Sequence, residues 1–339
     1  MNGKDLLIGL GDISQKYYEK AEMETISPAV TRRPLRKPVL IAAIIAAMLL
    51  LVGCVYTALN GADWFRNFFE ESIQQPLSPG QNEFIDQNTI EVNQSDTVNG
   101  YTLTIESAIA DSRNAYIKLR LTSAPGTVLN GEFYGYTHQK TPDGEGFERT
   151  FYKADDPGLL YGAGTWQTLE DDNPNDNSVS ILWALNQTGE NAPPFEENVL
   201  YKIYLPNWVV SYPGETGCEP FIENDAFELS LSFPKLNQDS LSFISTPVPT
   251  AYGEFAVEIT SFQLNTMSGS ATYTGRNDEK GVLCLFESFV KLNNGTEVSI
   301  NPRQFGPGYC DFVLASPVSL SEVDYVQLRD GTRLYAAEP

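Results

Sequence analysis

Two hydrophobic patterns divide the chain. From Val39 to Leu59 the run VLIAAIIAAMLLLVGCVYTAL is apolar at nearly every position, with no charge and no proline. Beyond residue 80 or so, apolar and polar positions alternate in short runs punctuated by Gly, Pro, Asn and Asp. The continuous run predicts a helix: at ~1.5 Å per residue it reaches ~32 Å, enough to cross a ~30 Å hydrocarbon core. A single span in lipid must pair its own backbone amides, which only a helix does.

The alternating part predicts strands over Thr89–Val92, Tyr101–Ala110, Ala115–Thr122, Val179–Leu185, Val199–Tyr204, Phe227–Phe233, Gly253–Phe262, Val282–Leu292, Val298–Ile300, Phe312–Ala315, Tyr325–Leu328 and Arg333–Tyr335. Leu103 and Ile105 face one side with Tyr101, opposite Thr102, Thr104 and Glu106. Ile117, Leu119 and Leu121 point inward in the same way. Asn99-Gly100, Asn294-Gly295 and Asp330-Gly331 are tight-turn dipeptides. The expected fold is mainly β: two tandem Ig-like β-sandwich domains, preceded by one transmembrane helix and a short helical segment. The expected divisions are 1–38, 39–59, a juxtamembrane helix or linker over 60–83, and β domains over 84–245 and 246–339, parted at the proline-bearing STPVPTAY.

In the first segment, Asp12 and Gln15 have capping-box spacing for a helix over Ile13–Met23, and a second short helix fits Lys4–Leu10. Ile13, Tyr17 and Ala21 form one apolar edge with Tyr18 beside it. Such short helices are marginal alone in water. The edge reads as a contact for a cytoplasmic partner's groove; the segment otherwise serves as a tether.

Charge sets the orientation. Arg32, Arg33, Arg36 and Lys37 precede the apolar run, so the N-terminus is expected in the cytoplasm and the bulk outside, in a cell membrane. Residues 1–37 carry seven basic against five acidic side chains, and the remainder 15 against 39, within a total of −22. So acidic a body repels phosphate backbones, which sets nucleic acid aside as a partner. Past the run, Trp64, Phe65, Phe68 and Phe69 suit a membrane interface or a helix packed on the first β domain. Leu51-Val52-Gly53-Cys54 also spells a lipobox, whose cleavage would discard the helix. The long leader and the apolar residues continuing past Cys54 favour the retained span.

No catalytic constellation emerges. There is no GxSxG, SxxK or CxxC, and His138 is the single histidine, so neither a nucleophile with its base nor a Cys/His zinc site can be assembled. The acidic stretch from Asp171 to Asn177 fails the EF-hand register and reads as a solvated turn. Trp166, Trp183 and Trp208 fit either sandwich cores or a sugar platform. Outside the span, Cys284 and Cys310 are the best-placed pair for a bridge, against two buried thiols. No enzyme activity, cofactor or metal is expected.

Two stretches carry a family resemblance: the opening from Asp5 through Ala21 with the basic patch and span, and Trp64 through Leu121, including IEVNQSDTVNGYTLTIESAIADSRNAYIKLRL. Together they resemble the single-pass, anti-sigma-factor-like membrane proteins of Firmicutes, whose exported part is a domain of unknown function. The closing Val323–Tyr335 is similar to the strand-turn-strand that ends many of them. The resemblance implies a β-sandwich ectodomain on a Gram-positive cell membrane and a cytoplasmic segment that controls a sigma factor; on that layout the ectodomain is expected to meet an envelope ligand. Residues 1–38 hold no His or Cys, unlike the zinc-binding class, so such a contact would rest on the Ile13/Tyr17/Ala21 face. A cell-surface interaction module, including a lipoprotein, is the alternative.

Overall fold

The computed structural model describes residues 61–135, 151–156, 163–169, 173, 175–187, 193–206, 208–211, 219–220, 222, 225–243, 247–252, 255–275, 282 and 285–337. The expected span, the basic patch, the Ile13/Tyr17/Tyr18/Ala21 edge, His138, Cys54, Cys218 and Cys284 lie outside them. Among the described residues no helix is long and apolar enough to cross a membrane.

Two short helices come first. Helix α1 (Gly61–Ile73) places Phe65 and Phe69 one turn apart, both buried, with Trp64 and Phe68 stacked on the adjoining row at 5.4 Å. Helix α2 (Pro79–Asn88) opens on a complete capping box. The Ser78 hydroxyl accepts from Gln81 N–H at 3.1 Å, the Gln81 side chain accepts from Ser78 N–H at 2.8 Å, and Pro79 supplies a preset φ at the first turn. Helix α2 runs through residue 84, where the sequence pattern starts a β domain.

The rest is antiparallel β. Strands β1 (Thr89–Val98), β2 (Tyr101–Ala110), β3 (Asn114–Thr122), β4 (Glu132–Gly135), β5 (Phe151–Lys153), β6 (Ala163–Thr168), β7 (Ser178–Asn186), β8 (Leu200–Pro206), β9 (Trp208–Ser211), β10 (Glu219–Pro220) and β11 (Ala226–Ser232) make sheets ordered β1-β2-β3-β7-β6, β10-β9-β4 and β11-β8-β5. The β1–β2 hairpin turns on Asn99-Gly100, both at positive φ as a two-residue loop requires. Leu103, Ile105, Ile117, Leu119 and Leu121 are fully buried and share one core with Tyr201, Ile203, Phe227 and Leu229 of the β11-β8-β5 sheet. A register shift at Glu106 in β2 changes which face follows. Ala108 and Ala110 then join this core, while Ile109 points to the far side with Tyr116 and Leu182. That far side is where the helices sit.

Strands β12 (Leu241–Ser242), β13 (Val248–Tyr252), β14 (Phe255–Leu264), β15 (Ser268–Thr274), β16 (Phe289–Leu292), β17 (Glu297–Gly306), β18 (Tyr309–Leu314), β19 (Val323–Gln327) and β20 (Arg333–Leu334) surround a second core. Strand β17 changes partner midway. Glu297–Ser299 pair with β16 and Ile300–Gly306 with β18, so the sheet folds over its own core.

Two strand expectations change here. STPVPTAY contains β13, a strand paired with β14 alone; Pro249 has no N–H to give a second neighbour, and an edge position asks for none. The expected strand Val282–Leu292 is a strand only over Phe289–Leu292, because Leu285–Glu287 turn, with Glu287 at φ 60.

Candidate functional site at the junction of the two cores

The described residues are held together at one junction, where three fasteners and a cleft meet. The first fastener is Asp111, fully buried in the β2–β3 turn. Its Oδ1 accepts the backbone N–H groups of Arg113 and Asn114, each at 2.7 Å, closing the turn. Its Oδ2 accepts the N–H of Met267 at 2.8 Å, just ahead of β15 in the second core. Burial pushes this carboxyl above its ordinary range, against the Arg113, Met267 and Asn114 donors that favour the charged form. Neighbouring backbone reinforces it: Ser112 N–H donates to Asn237 O at 3.2 Å and Phe195 N–H to Ser112 O at 2.9 Å.

The second fastener is the start of α2. Gln81, fully buried, donates through Nε2 to Pro317 O at 2.6 Å and Ser316 Oγ at 3.1 Å. The Glu322 carboxylate accepts from the Ser78 hydroxyl and from Gly80 N–H, the latter at 3.1 Å. An anion at a helix N-terminus also meets the positive end of the helix dipole. A side chain on Gly80 would run into Ser319 and Glu322, so the close approach needs glycine.

The third is an apolar cluster of Phe65, Phe69, Leu77, Phe84, Ile85, Ile109, Leu182 and Met267, drawn from both helices, the first sheet's far face and the second core's edge. Phe65 and Phe69 are 0% and 1% exposed, so their rings face protein and offer nothing to a lipid surface; Trp64 and Phe68 are half-buried beside them. The periodicity that suits an interfacial belt suits a buried helix face equally, and the apolar outer residues Ile109, Tyr116 and Leu182 supply the partner. Lys118 Nζ lies 5.0 Å from the Trp64 ring and 2.9 Å from Glu106, which also accepts from Arg120. Burial pushes the Glu106 carboxyl up, and the two cations outweigh it and hold it below the ordinary range. At the start of α1, Glu91 accepts Gly61 N–H at 3.0 Å.

Beside Asp111 opens a cleft of about 760 Å³. One wall is Ser112–Asn114 with Asn186, Gln187 and Phe195; the other comes from β14, β15, β17 and β18, including Arg303 and Tyr309. The walls are rich in amides and hydroxyls.

Other sequence candidates are placed as well. Trp183 and Trp208 are buried in the first core, closed to any sugar; the Trp166 side chain lies outside the described residues. Cys310 is a buried free thiol that burial pushes up to about 12, which removes it as a nucleophile at neutral pH. Asp176 uses its carboxylate locally, accepting Ser178 N–H at 2.7 Å. No group of metal-ligating side chains occurs among the described residues. Sequence reasoning passed over Asp111, Gln187 and Arg303. For Asp111 a signal existed, since ADSRNA between two alternating runs has the Asx-turn form.

Residues 31–123 match the family model described as Domain of unknown function (DUF4179). Curated proteins give no match. Among solved structures, the conserved domain protein from Bacillus anthracis shares 13% identity over 71% of this chain and 78% of its own, with a TM-score of 0.42. A likeness so distant carries no functional weight.

Proposed function

We propose that the protein is a single-pass membrane receiver of the anti-sigma-factor-like kind. On this reading Val39–Leu59 span the cell membrane, and Arg32, Arg33, Arg36 and Lys37 keep the N-terminus in the cytoplasm. Outside, the two β cores are tandem Ig-like modules exposed to an envelope ligand. Inside, Ile13, Tyr17, Tyr18 and Ala21 contact a sigma factor.

One observation carries the reading. Helix α1 starts at Gly61, directly after the apolar run, and its Phe65 and Phe69 are buried in the cluster that contains residues of both β regions. A change between those regions therefore bears on the helix that leads into the run. The family match supports the same unit: it begins at the basic patch, crosses the run and both helices, and ends just past β3.

The test uses residues 1–38 as bait. Capture of a sigma factor, with altered transcription after Tyr17→Ala, is the expected result. No capture together with unchanged transcription removes the regulator. The layout has its own check: added protease on intact cells should cut beyond Asn60, and a mature chain starting at an acylated Cys54 would overturn it.

A further inference from the structure

We propose that the cleft beside Asp111 binds a small ligand carrying a carboxylate next to an amide, such as an N-acylated amino acid or the carboxyl end of a short peptide. Its volume of about 760 Å³ falls within the range of small-molecule sites, ~300–1,000 Å³. The two walls come from different cores, one of the places where such sites preferentially occur.

Gln187 supplies the amide reader. It lines the cleft and is 4% exposed, yet its side-chain oxygen and nitrogen both have no protein partner. Its backbone N–H is already used, donating to Arg113 O at 2.7 Å, so the residue is held in place while its amide is idle. Buried polar groups are nearly always paired, and one left unpaired by the chain at a cleft wall takes its partner from outside, an ordered water or a ligand that displaces it. An idle donor and acceptor on one planar group match the C=O and N–H of a second amide.

Arg113, Glu196 and Asp311 also line the cleft but already have partners within the chain, which leaves Arg303 to supply the charge. The β17–β18 register passes from Pro302↔Phe312 to Gln304↔Asp311, leaving Arg303 as the extra residue of a bulge. Bulges re-aim side chains, and this one is exposed, lining the cleft and the smaller one beside Tyr116. In a chain with 44 acidic and 22 basic residues, Arg303 has no ion pair among the described residues. Its guanidinium fork suits a carboxylate. A sugar is the weaker fit, since Phe195 and Phe312 are buried in their own cores, leaving the half-buried Tyr309 as the stacking ring among the described lining residues.

The inference supplies a ligand class for the receiver reading but rests on the cleft alone. The full chain in detergent micelles is titrated with N-acetyl-alanyl-alanine, its C-terminal carboxamide and N-acetylglucosamine, followed by ligand-detected NMR. The free acid should bind saturably and about tenfold more tightly than the carboxamide, the margin of one charge-assisted contact. Arg303→Gln should erase that preference without moving the melting temperature. Gln187→Leu should abolish binding and leave the melting temperature equal or higher, because an unpaired amide is gone. No saturable binding of the acid, equal binding of acid and carboxamide, N-acetylglucosamine binding as tightly as the acid, or intact binding in Gln187→Leu would each overturn the proposal. None of these outcomes touches the sigma-factor capture, so the two readings fail separately.

Discussion

Asp111 and Met267 are joined by a 2.8 Å hydrogen bond from backbone N–H to carboxylate, spanning 156 residues of sequence. The same carboxylate closes its own turn through Arg113 and Asn114. One buried side chain thus sets the exit of β2 and the entry of β15 together.

Removing it should show that dual role. Asp111→Ala leaves three backbone donors without an acceptor and should cost ~2–4 kcal/mol of stability by urea unfolding. Asp111→Asn should cost less at neutral pH, since its amide oxygen can still accept. Burial raises the wild-type carboxyl above 3.8, so its stabilising contribution is complete below that pH and lost as pH rises through the folded-state value. The Asn variant should therefore lag wild type most in acid; a deficit that grows toward neutral pH would contradict this.

The aromatic helix gives the clearest stability contrast. Phe69→Ala should cost ~3–5 kcal/mol, as expected for a fully buried aromatic ring, and Phe65→Ala a similar amount. Thermal unfolding of the full chain measures it. Rings resting on lipid would leave the unfolding of the β cores unchanged.

The clamp on α2 is separable from its helix propensity. Gln81→Leu keeps the volume but strands Pro317 O and Ser78 N–H, and should cost ~2 kcal/mol. Hydrogen exchange of α2 should quicken in this variant while that of β3 and β7 does not. Equal protection in α2 would mean that the apolar cluster alone holds the helix.

The Glu106 trio titrates in the opposite sense to Asp111. Its carboxyl is held below the usual 4.5, so its contribution is present above that value and is lost as pH falls through the folded-state value. Glu106→Gln should cost ~1–2 kcal/mol at neutral pH, with Lys118 and Arg120 left sharing a neutral group, and the deficit should shrink in acid. A pH-independent deficit would assign Glu106 to packing alone.

Legibility followed the range of the forces involved. Strand β2 was readable to the residue, and β3 and β7 to within one, because period-2 alternation and tight-turn dipeptides are local. Strand β15, SGSATYT, was not readable: its small residues carry little apolar signal, and Gly269 is fixed by the close approach of Phe312 and the Gln263 carbonyl. Strand β13 was missed because proline argues against a strand until an edge is known to exist.

By itself the sequence determined the mainly β character, the facing of β2 and β3, and the hairpin at Asn99-Gly100, since each follows from neighbours a few residues apart. Only the tertiary structure decided that Phe65 and Phe69 are interior, that Asp111 ties β2 to β15, and that Gln187 and Arg303 line one cleft. Those outcomes depend on surfaces formed by residues more than a hundred positions apart, and an apolar helix face carries no mark of whether protein or lipid will cover it.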